Sequence, residues 1–344
     1  MTAPTHGFEN ADDGFHVAGI GSALVDLVVE LEDDDLAKIG LVKGTMTLID
    51  LDQANALRTE VEARSLKVVR HSGGSVANTM VGMASLGAKV AYLGKVGRDE
   101  LAEFFVEDMA RAGAVAFCGQ TAARATGHCL VFVTPDGERT MATHLGAAST
   151  IAREDVVADV LSSSRTVYLE GYLWDLPQAK DAMKLAMELA QQAQRLVAFT
   201  LSDPFCVDRH RQEFLDLLRG PVDLVLANEA EAMSLLGVET LDEALQALSE
   251  MNVVAAITKG GDGSVVIDSG VVAEVDASPV AEVVDTTGAG DLYASGFLFG
   301  LSRQLDHEAC AKLGSLCAAE VIAHLGARPL TSLSSIVART SIVG

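Results

Sequence analysis

The feature that most restricts what this chain can fold into is its alternation of short β-rich runs with segments of helical period. Residues 15–20 and 24–31 are β-rich and are separated by the turn-like Gly21-Ser22. Residues 76–87 carry apolar side chains at helical spacing, KVAYLGKVG reads as a strand, and 100–112 reads as a helix. The alternation resumes with TVYLEGY, a helix over 177–194, RLVAFTLS, a helix over 208–219, DLVLAN, helices over 229–236 and 241–250, VVAAITKG and SVVID. This order predicts an α/β fold with a doubly wound, mainly parallel sheet flanked by helices. Ligands of such sheets sit at the carboxyl ends of the strands.

One stretch breaks the pattern. Residues 127–134 and 139–144 are β runs joined by Pro135-Asp136-Gly137, which is hairpin chemistry rather than a crossover helix. The expectation is a single domain over 1–344, with a small β-sheet inserted from approximately 24–50 and 124–145. At 344 residues the chain can bury a large core.

A formal net charge of -23 excludes a nonspecific nucleic-acid surface, because nothing offsets repulsion from phosphates. An anionic ligand would need local positive charge or backbone N–H groups to overcome that field. The five cysteines are scattered without a C-x-x-C spacing, which predicts reduced thiols and a cytoplasmic location; Cys310 and Cys317 fall in an apolar helical stretch. The acidic leader MTAPTHGFENADDGF lacks a basic start and an apolar run, and no membrane-length apolar segment follows. The eight histidines show no metal-ligand spacing, and His307-Glu308 lacks the second His of a zinc motif.

The candidate chemistry falls at predicted strand ends. In VVDTTGAGD, read as following a strand AEVV, Gly288-Ala289-Gly290 would present backbone N–H groups at a helix start, where the helix dipole favours an anion. Asp291 behind them could accept a proton from an attacking hydroxyl; a tight turn with a first-turn acid is the plainer alternative. The dinucleotide fingerprint fails because position 293 is Tyr, and no Walker loop, protein-kinase motif or nucleophile elbow is present. Gly73-Gly74 precede the next candidate helix, with Asn78 one turn into it. Asp26 lies in an apolar β run, where alternation places it on a solvated face or among polar partners. Asn228 and Glu231 have the spacing of a capping box, or of oxygen groups near a Mg2+ ion. Arg139 on the hairpin is a solvated strand residue or a cation over a transferring phosphate.

GGSVAN at 73–78, NEAE at 228–231, TKGGDG at 258–263 and DTTGAGD at 285–291 occur in that order. Together they resemble the signatures of the PfkB family of carbohydrate and nucleoside kinases, which have the ribokinase-like fold. The resemblance implies ATP-dependent phosphorylation of an alcohol, with Asp291 as base and Gly288, Ala289 and Gly290 as anion hole. It assigns Asp26, Ser22, Gly73, Gly74 and Asn78 to the acceptor, and Arg139 to a lid. Asn228 and Glu231 would organise Mg2+ through water, and Thr258, Gly260 and Gly263 would line the ATP site. Asp285 and Thr287 would contribute to a monovalent-cation site, for K+, that many members possess.

GIGSALVDLVVEL, PDGERTMATHLGAAS and YLEGYLW look most like the adenosine-kinase-like branch, in which the aromatic at Tyr172 would pack on a purine. Many relatives have Asn where Ser22 stands. The resemblance thus points to a ribonucleoside acceptor, adenosine first, phosphorylated on a primary hydroxyl. A kinase of ribose, fructose or 2-keto-3-deoxygluconate is the nearest alternative. A nicotinamide-dependent oxidoreductase and a nonenzymatic nucleotide-binding protein are the alternatives of other classes. The expected partners are small molecules, with no nucleic acid and no membrane, in a monomer or homodimer.

Overall fold

The computed structural model describes residues 14–340 and Ile342, so residues 1–13 of the expected leader lie outside the described residues. In chain order the elements are β1 (Val17–Ile20), β2 (Leu24–Glu30), α1 (Asp33–Ile39), β3 (Met46–Leu48), α2 (Leu51–Ala63), β4 (Val68–Gly73), α3 (Ser75–Ser85), β5 (Val90–Val96) and α4 (Glu100–Arg111). They continue with β6 (Ala114–Gln120), β7 (Gly127–Val133), β8 (Arg139–His144), α5 (Ala158–Ser162), β9 (Thr166–Glu170), α6 (Pro177–Gln192), β10 (Leu196–Thr200), α7 (Pro204–Arg219) and β11 (Leu224–Asn228). The last are α8 (Glu229–Leu236), α9 (Leu241–Ser249), β12 (Val254–Thr258), β13 (Ser264–Asp268), β14 (Val271–Val275), α10 (Ala289–Ser302), α11 (His307–Val321) and α12 (Leu333–Val337).

Nine strands form one sheet in the order β14-β13-β12-β11-β10-β9-β1-β5-β6. From β12 to β6 every pairing is parallel, and only β13 and β14 turn back antiparallel at one edge. The chain winds outward from β1 to β6 in one direction and from β9 to β12 in the other. The topological switch therefore lies between β1 and β9, where such sheets open a crevice for ligands. Helices cover both faces: one core packs α3, α4, α10 and α11 on the sheet, the other packs α6 through α9. Helix α10 is buried from Leu292 to Gly300, which explains why its sequence is apolar all round instead of amphipathic.

The small sheet has the order β3-β8-β7-β2-β4. It includes β4, outside the two segments expected to build it. Val25, Leu27 and Val29 of β2 and Leu130 and Phe132 of β7 lie on one face, packed with Leu36 of α1 and Val61 of α2 in the main core. Alternation sends Asp26 and Val28, Cys129 and Val131, and Arg139 and Met141 to the other face, where the apolar members form a separate small cluster.

Two local expectations are corrected. AEVV is not a strand: residues 276–288 carry no regular element until α10, and Val283 and Val284 are exposed. Val284 N–H instead donates to the Ile322 carbonyl at 2.8 Å, so this β-branched pair is fixed by the end of α11. Helix α7 begins four residues before 208, because Asp203 accepts from Cys206 N–H as N-cap and Pro204 occupies the first helical position. Cys310 and Cys317 are buried in α11, and all five cysteines are free thiols.

Candidate active site

The switch point is closed by a carboxylate. Glu170 at the end of β9 is fully buried and accepts from Ser22 N–H at 2.8 Å and Val76 N–H at 3.3 Å. Burial raises its pKa and these donors oppose the shift. Ser22, just past β1, is thereby tied to the start of α3. Gly74 caps α3 with φ 98°, against the Ser22 carbonyl.

Helices α3 and α10 meet N-terminus to N-terminus beside this point. The Asp291 carboxylate accepts from Ser75 Oγ at 2.6 Å and from Asn78 Nδ2 at 2.8 Å. Burial raises the Asp291 pKa, while Ser75, Asn78 and the charge of Arg328 act the other way. Asn78 is buried, and its Oδ1 has no hydrogen-bond partner among the described residues. Gly288 caps α10 at φ 79°, a conformation that favours glycine, and a Cβ there would lie 2.7 Å from the Ala327 methyl. Ala289 N–H donates to the Thr286 carbonyl at 3.1 Å and closes the turn. Among the described residues the Gly290 and Asp291 N–H groups remain as the free donors of this terminus, since Leu292 N–H donates to the Gly288 carbonyl at 2.8 Å.

Asp26 faces the same space from the small sheet. A Cβ at position 73 would lie 2.5 Å from an Asp26 carboxylate oxygen, so the glycine of β4 leaves room for that acid. Asp26 is half-buried rather than on a solvated face, and no hydrogen bond or ion pair to its carboxylate is formed among the described residues. Burial pushes its pKa up to about 6, with Asp291 adding to the rise and Arg139 and Arg328 opposing it. Arg328 follows α11 and donates to the Ser72 carbonyl and, at 2.9 Å, to Ser72 Oγ; its Nε and Nη1 are buried without partners among the described residues.

Arg139 at the start of β8 makes a buried pair with Asp285, Nη1 to Oδ2 at 2.8 Å. The same oxygen accepts from Gly326 N–H at 2.8 Å, and Oδ1 accepts from Thr287 N–H at 2.9 Å. Burial raises the Asp285 pKa, but these donors prevail and hold it below the usual carboxylate range. Asp285 thus fastens the small sheet to the turn before α10. Tyr172, just beyond β9, is 39% exposed and held by Ser202, its N–H on Ser202 Oγ and its hydroxyl on the Ser202 carbonyl, each at 3.2 Å.

The family model described as "pfkB family carbohydrate kinase" matches residues 33–333. The chain belongs to the pfkB family of carbohydrate kinases. It is similar to the adenosine kinase of Sinorhizobium meliloti, whose crystal structure is 44% identical with a TM-score of 0.86, over 94% of this chain and 99% of that one. It is also similar to a probable sugar kinase protein from Rhizobium etli CFN 42, at 42% identity and a TM-score of 0.87 over 96% and 99% of the two chains. An adenosine kinase of Saccharomyces cerevisiae is 28% identical over 89% of this chain and 94% of its own. The fold is therefore the ribokinase fold, and this pfkB kinase is a phosphotransferase that uses ATP and acts on a hydroxyl group.

In the pfkB kinase a second cavity, of about 470 Å3, opens at the carboxyl ends of β11 and β12 and is lined by Asn228, Thr258, Lys259 and Gly260. Glu231 stands behind it in a full capping box: Asn228 Oδ1 accepts from Glu231 N–H at 2.8 Å, while Asn228 N–H and Nδ2 donate to the two Glu231 oxygens at 3.1 and 2.7 Å. Burial pushes the Glu231 pKa up to about 7. Gly263 turns the chain into β13 and does not line the cavity.

Ser75, Glu170 and Arg328 were not singled out by the sequence. Ser75 carried a signal, as the hydroxyl inside GGSVAN. Glu170 and Arg328 gave none, since their partners lie 94 to 256 residues away. Among the described residues no helix is long and apolar enough to cross a membrane.

Proposed function

We propose that this kinase transfers the γ-phosphoryl group of ATP to the 5'-hydroxyl of adenosine. The observation that carries the reading is the arrangement of Asp291 and Asp26. One carboxylate is oriented by two side-chain donors at a helix N-terminus, and the other faces the same space without a partner among the described residues. Asp26 is suited to accept from vicinal ribose hydroxyls, beside Gly73, Gly74 and Asn78. Exposed Tyr172 offers a face for the purine, and Ser22 borders the same crevice.

In the reaction the acceptor oxygen attacks the γ-phosphorus and gives its proton to Asp291. The bond from the γ-phosphorus to the β,γ-bridging oxygen breaks, and ADP leaves with that electron pair. The Gly290 and Asp291 amides and the α10 dipole stabilise charge on the transferring group, the Ala289 amide being held by the Thr286 carbonyl. Arg139 adds positive charge from the small sheet, acting as a lid built from the inserted segments. Thr258 and Gly260 position the nucleotide, and Gly263 holds the turn behind them. Mg2+, when bound, neutralises charge across the phosphates. One buried carboxylate at Glu231, beside Asn228, suits an ion that keeps most of its waters. Asp285 already holds three donors, which leaves little of its carboxylate for a monovalent cation; Thr287 and neighbouring carbonyls would carry any K+ site.

A panel of nucleosides and free sugars with ATP and Mg2+ tests the assignment. AMP formed from adenosine is the expected result; turnover of ribose, fructose or a sugar acid with none on nucleosides would overturn it.

A further inference from the structure

A cavity of about 510 Å3 lies apart from both sites described above, where the small sheet meets the end of β5. Its lining includes Leu51, Arg98, Asp99, Arg124, Ala125 and His144. His144 pairs with His128 across β8 and β7, one residue out of step with the Cys129 and Thr143 pair. Asp26 is in register with Cys129, so the histidines point to the opposite face of the sheet from the acceptor cleft.

The charges around this cavity run against the balance of the whole chain, which carries 48 acidic and 25 basic residues. Arg98 has no ion pair or hydrogen bond among the described residues. Among the described residues Arg124 reaches only Ser149 Oγ, at 3.5 Å. The one acid that lines it among the described residues is committed: Asp99 accepts from Thr126 N–H at 2.8 Å, Thr126 Oγ1 at 2.6 Å and Ala102 N–H at 3.0 Å. Both imidazoles hold a carbonyl through Nδ1, His128 that of Thr126 at 3.2 Å and His144 that of Ile49 at 3.3 Å. Nδ1 is therefore the donor in each, and Nε2 is the free nitrogen. His128 is 1% exposed, its ring centroid is 5.6 Å from that of His144, and its Nε2 has no partner among the described residues. Arg58 of α2 acts on His128 electrostatically; it also lies within reach of Glu100, which Arg70 pairs at 2.5 Å.

We propose that this cavity is a binding site for a small phosphorylated anion, held by the guanidinium groups of Arg98 and Arg124. Guanidinium forks match phosphate oxygens in pairs, and the volume is that of a small-molecule site. Arg98 belongs to the loop after β5 of the large sheet, whereas Arg124 and His144 flank strands of the small sheet. A bound anion would tie the two sheets together from behind the acceptor cleft.

Calorimetric titration with inorganic pyrophosphate, with ADP saturating the nucleotide cavity, tests the site without relying on the acceptor assignment. Wild-type protein should show one binding event that R98S/R124S weakens tenfold or more. R219S/R339S, which removes the same charge from remote exposed positions, should bind as wild type does. Turnover without pyrophosphate should be unchanged in both. Equal binding by wild type and R98S/R124S, equal weakening in the remote variant, or no binding by wild type at millimolar pyrophosphate would each overturn the proposal. If R98S/R124S does not fold, R98Q and R124Q separately should each weaken binding several-fold.

Discussion

Asn78 and Asp291, separated by 213 residues, are joined by a 2.8 Å hydrogen bond that brings the first turns of α3 and α10 together. Ser75 holds the other Asp291 oxygen. The two glycine-containing motifs are therefore one device: the second supplies the acid, and the first fixes its orientation.

Asp291→Asn keeps a side chain of the same shape but removes the proton acceptor. Turnover should fall by about 10^2 to 10^4, equivalent to about 3 to 5 kcal/mol of barrier. Thermal melting and ADP binding should stay close to wild type. Steady-state kinetics with a calorimetric ADP titration would check this, and wild-type turnover would remove Asp291 from the chemistry.

Ser75→Ala deletes a donor that favours the charged form of Asp291, so the Asp291 pKa, already raised by burial, should rise further. The acid is active as carboxylate, and the acidic limb of the kcat/KM profile should move to higher pH, with Ser75→Thr restoring it. A purely structural role for Ser75 would lower activity at every pH without moving the limb.

Much of this arrangement was legible because its signals are local. Alternation gave the parallel sheet, and short motifs marked the strand ends where Asn228 and Thr258 meet one cavity. What stayed hidden depends on tertiary pairing. The three residues of β3 are exposed and exist as a strand through their pairing with β8. AEVV has strand propensity, yet the end of α11 takes its Val284 N–H. Glu170 reads as the last residue of a strand, and its partners Ser22 and Val76 reach it only through the switch in strand order.

Asp26 should trade stability for binding. Its pKa rises from 3.8 to about 6 on folding, so the folded state holds the proton more tightly. Stability from this group is full below about pH 4 and is lost as pH climbs through about 6. At pH 7 the ionised acid costs on the order of 2 kcal/mol, allowing for solvent in the open cleft. Asp26→Asn should therefore raise the melting temperature at pH 7 and narrow that gain near pH 4, while raising acceptor KM by tenfold or more. A variant that melts lower than wild type at pH 7 would contradict the assignment of Asp26 as an uncompensated acid.

Glu231 makes a prediction about the nucleotide side. Burial holds its pKa at about 7, with Asp203 adding to the rise and Asn228 N–H opposing it. The carboxylate is charged above that pH and neutral below it, so any hold on Mg2+ through water weakens as pH falls from 8 to 6. Kinetics would mix this titration with that of Asp291, whereas equilibrium binding of Mg2+ with a nonhydrolysable ATP analogue does not require the base. Affinity should fall several-fold between pH 8 and pH 6 in wild type. Glu231→Gln should bind weakly at both, because its amide keeps the cap geometry but carries no charge. The metal-free analogue should show little of this dependence in either protein. A wild-type affinity that is flat with pH, or a Gln variant that follows the wild-type curve, would leave Glu231 as a helix cap alone.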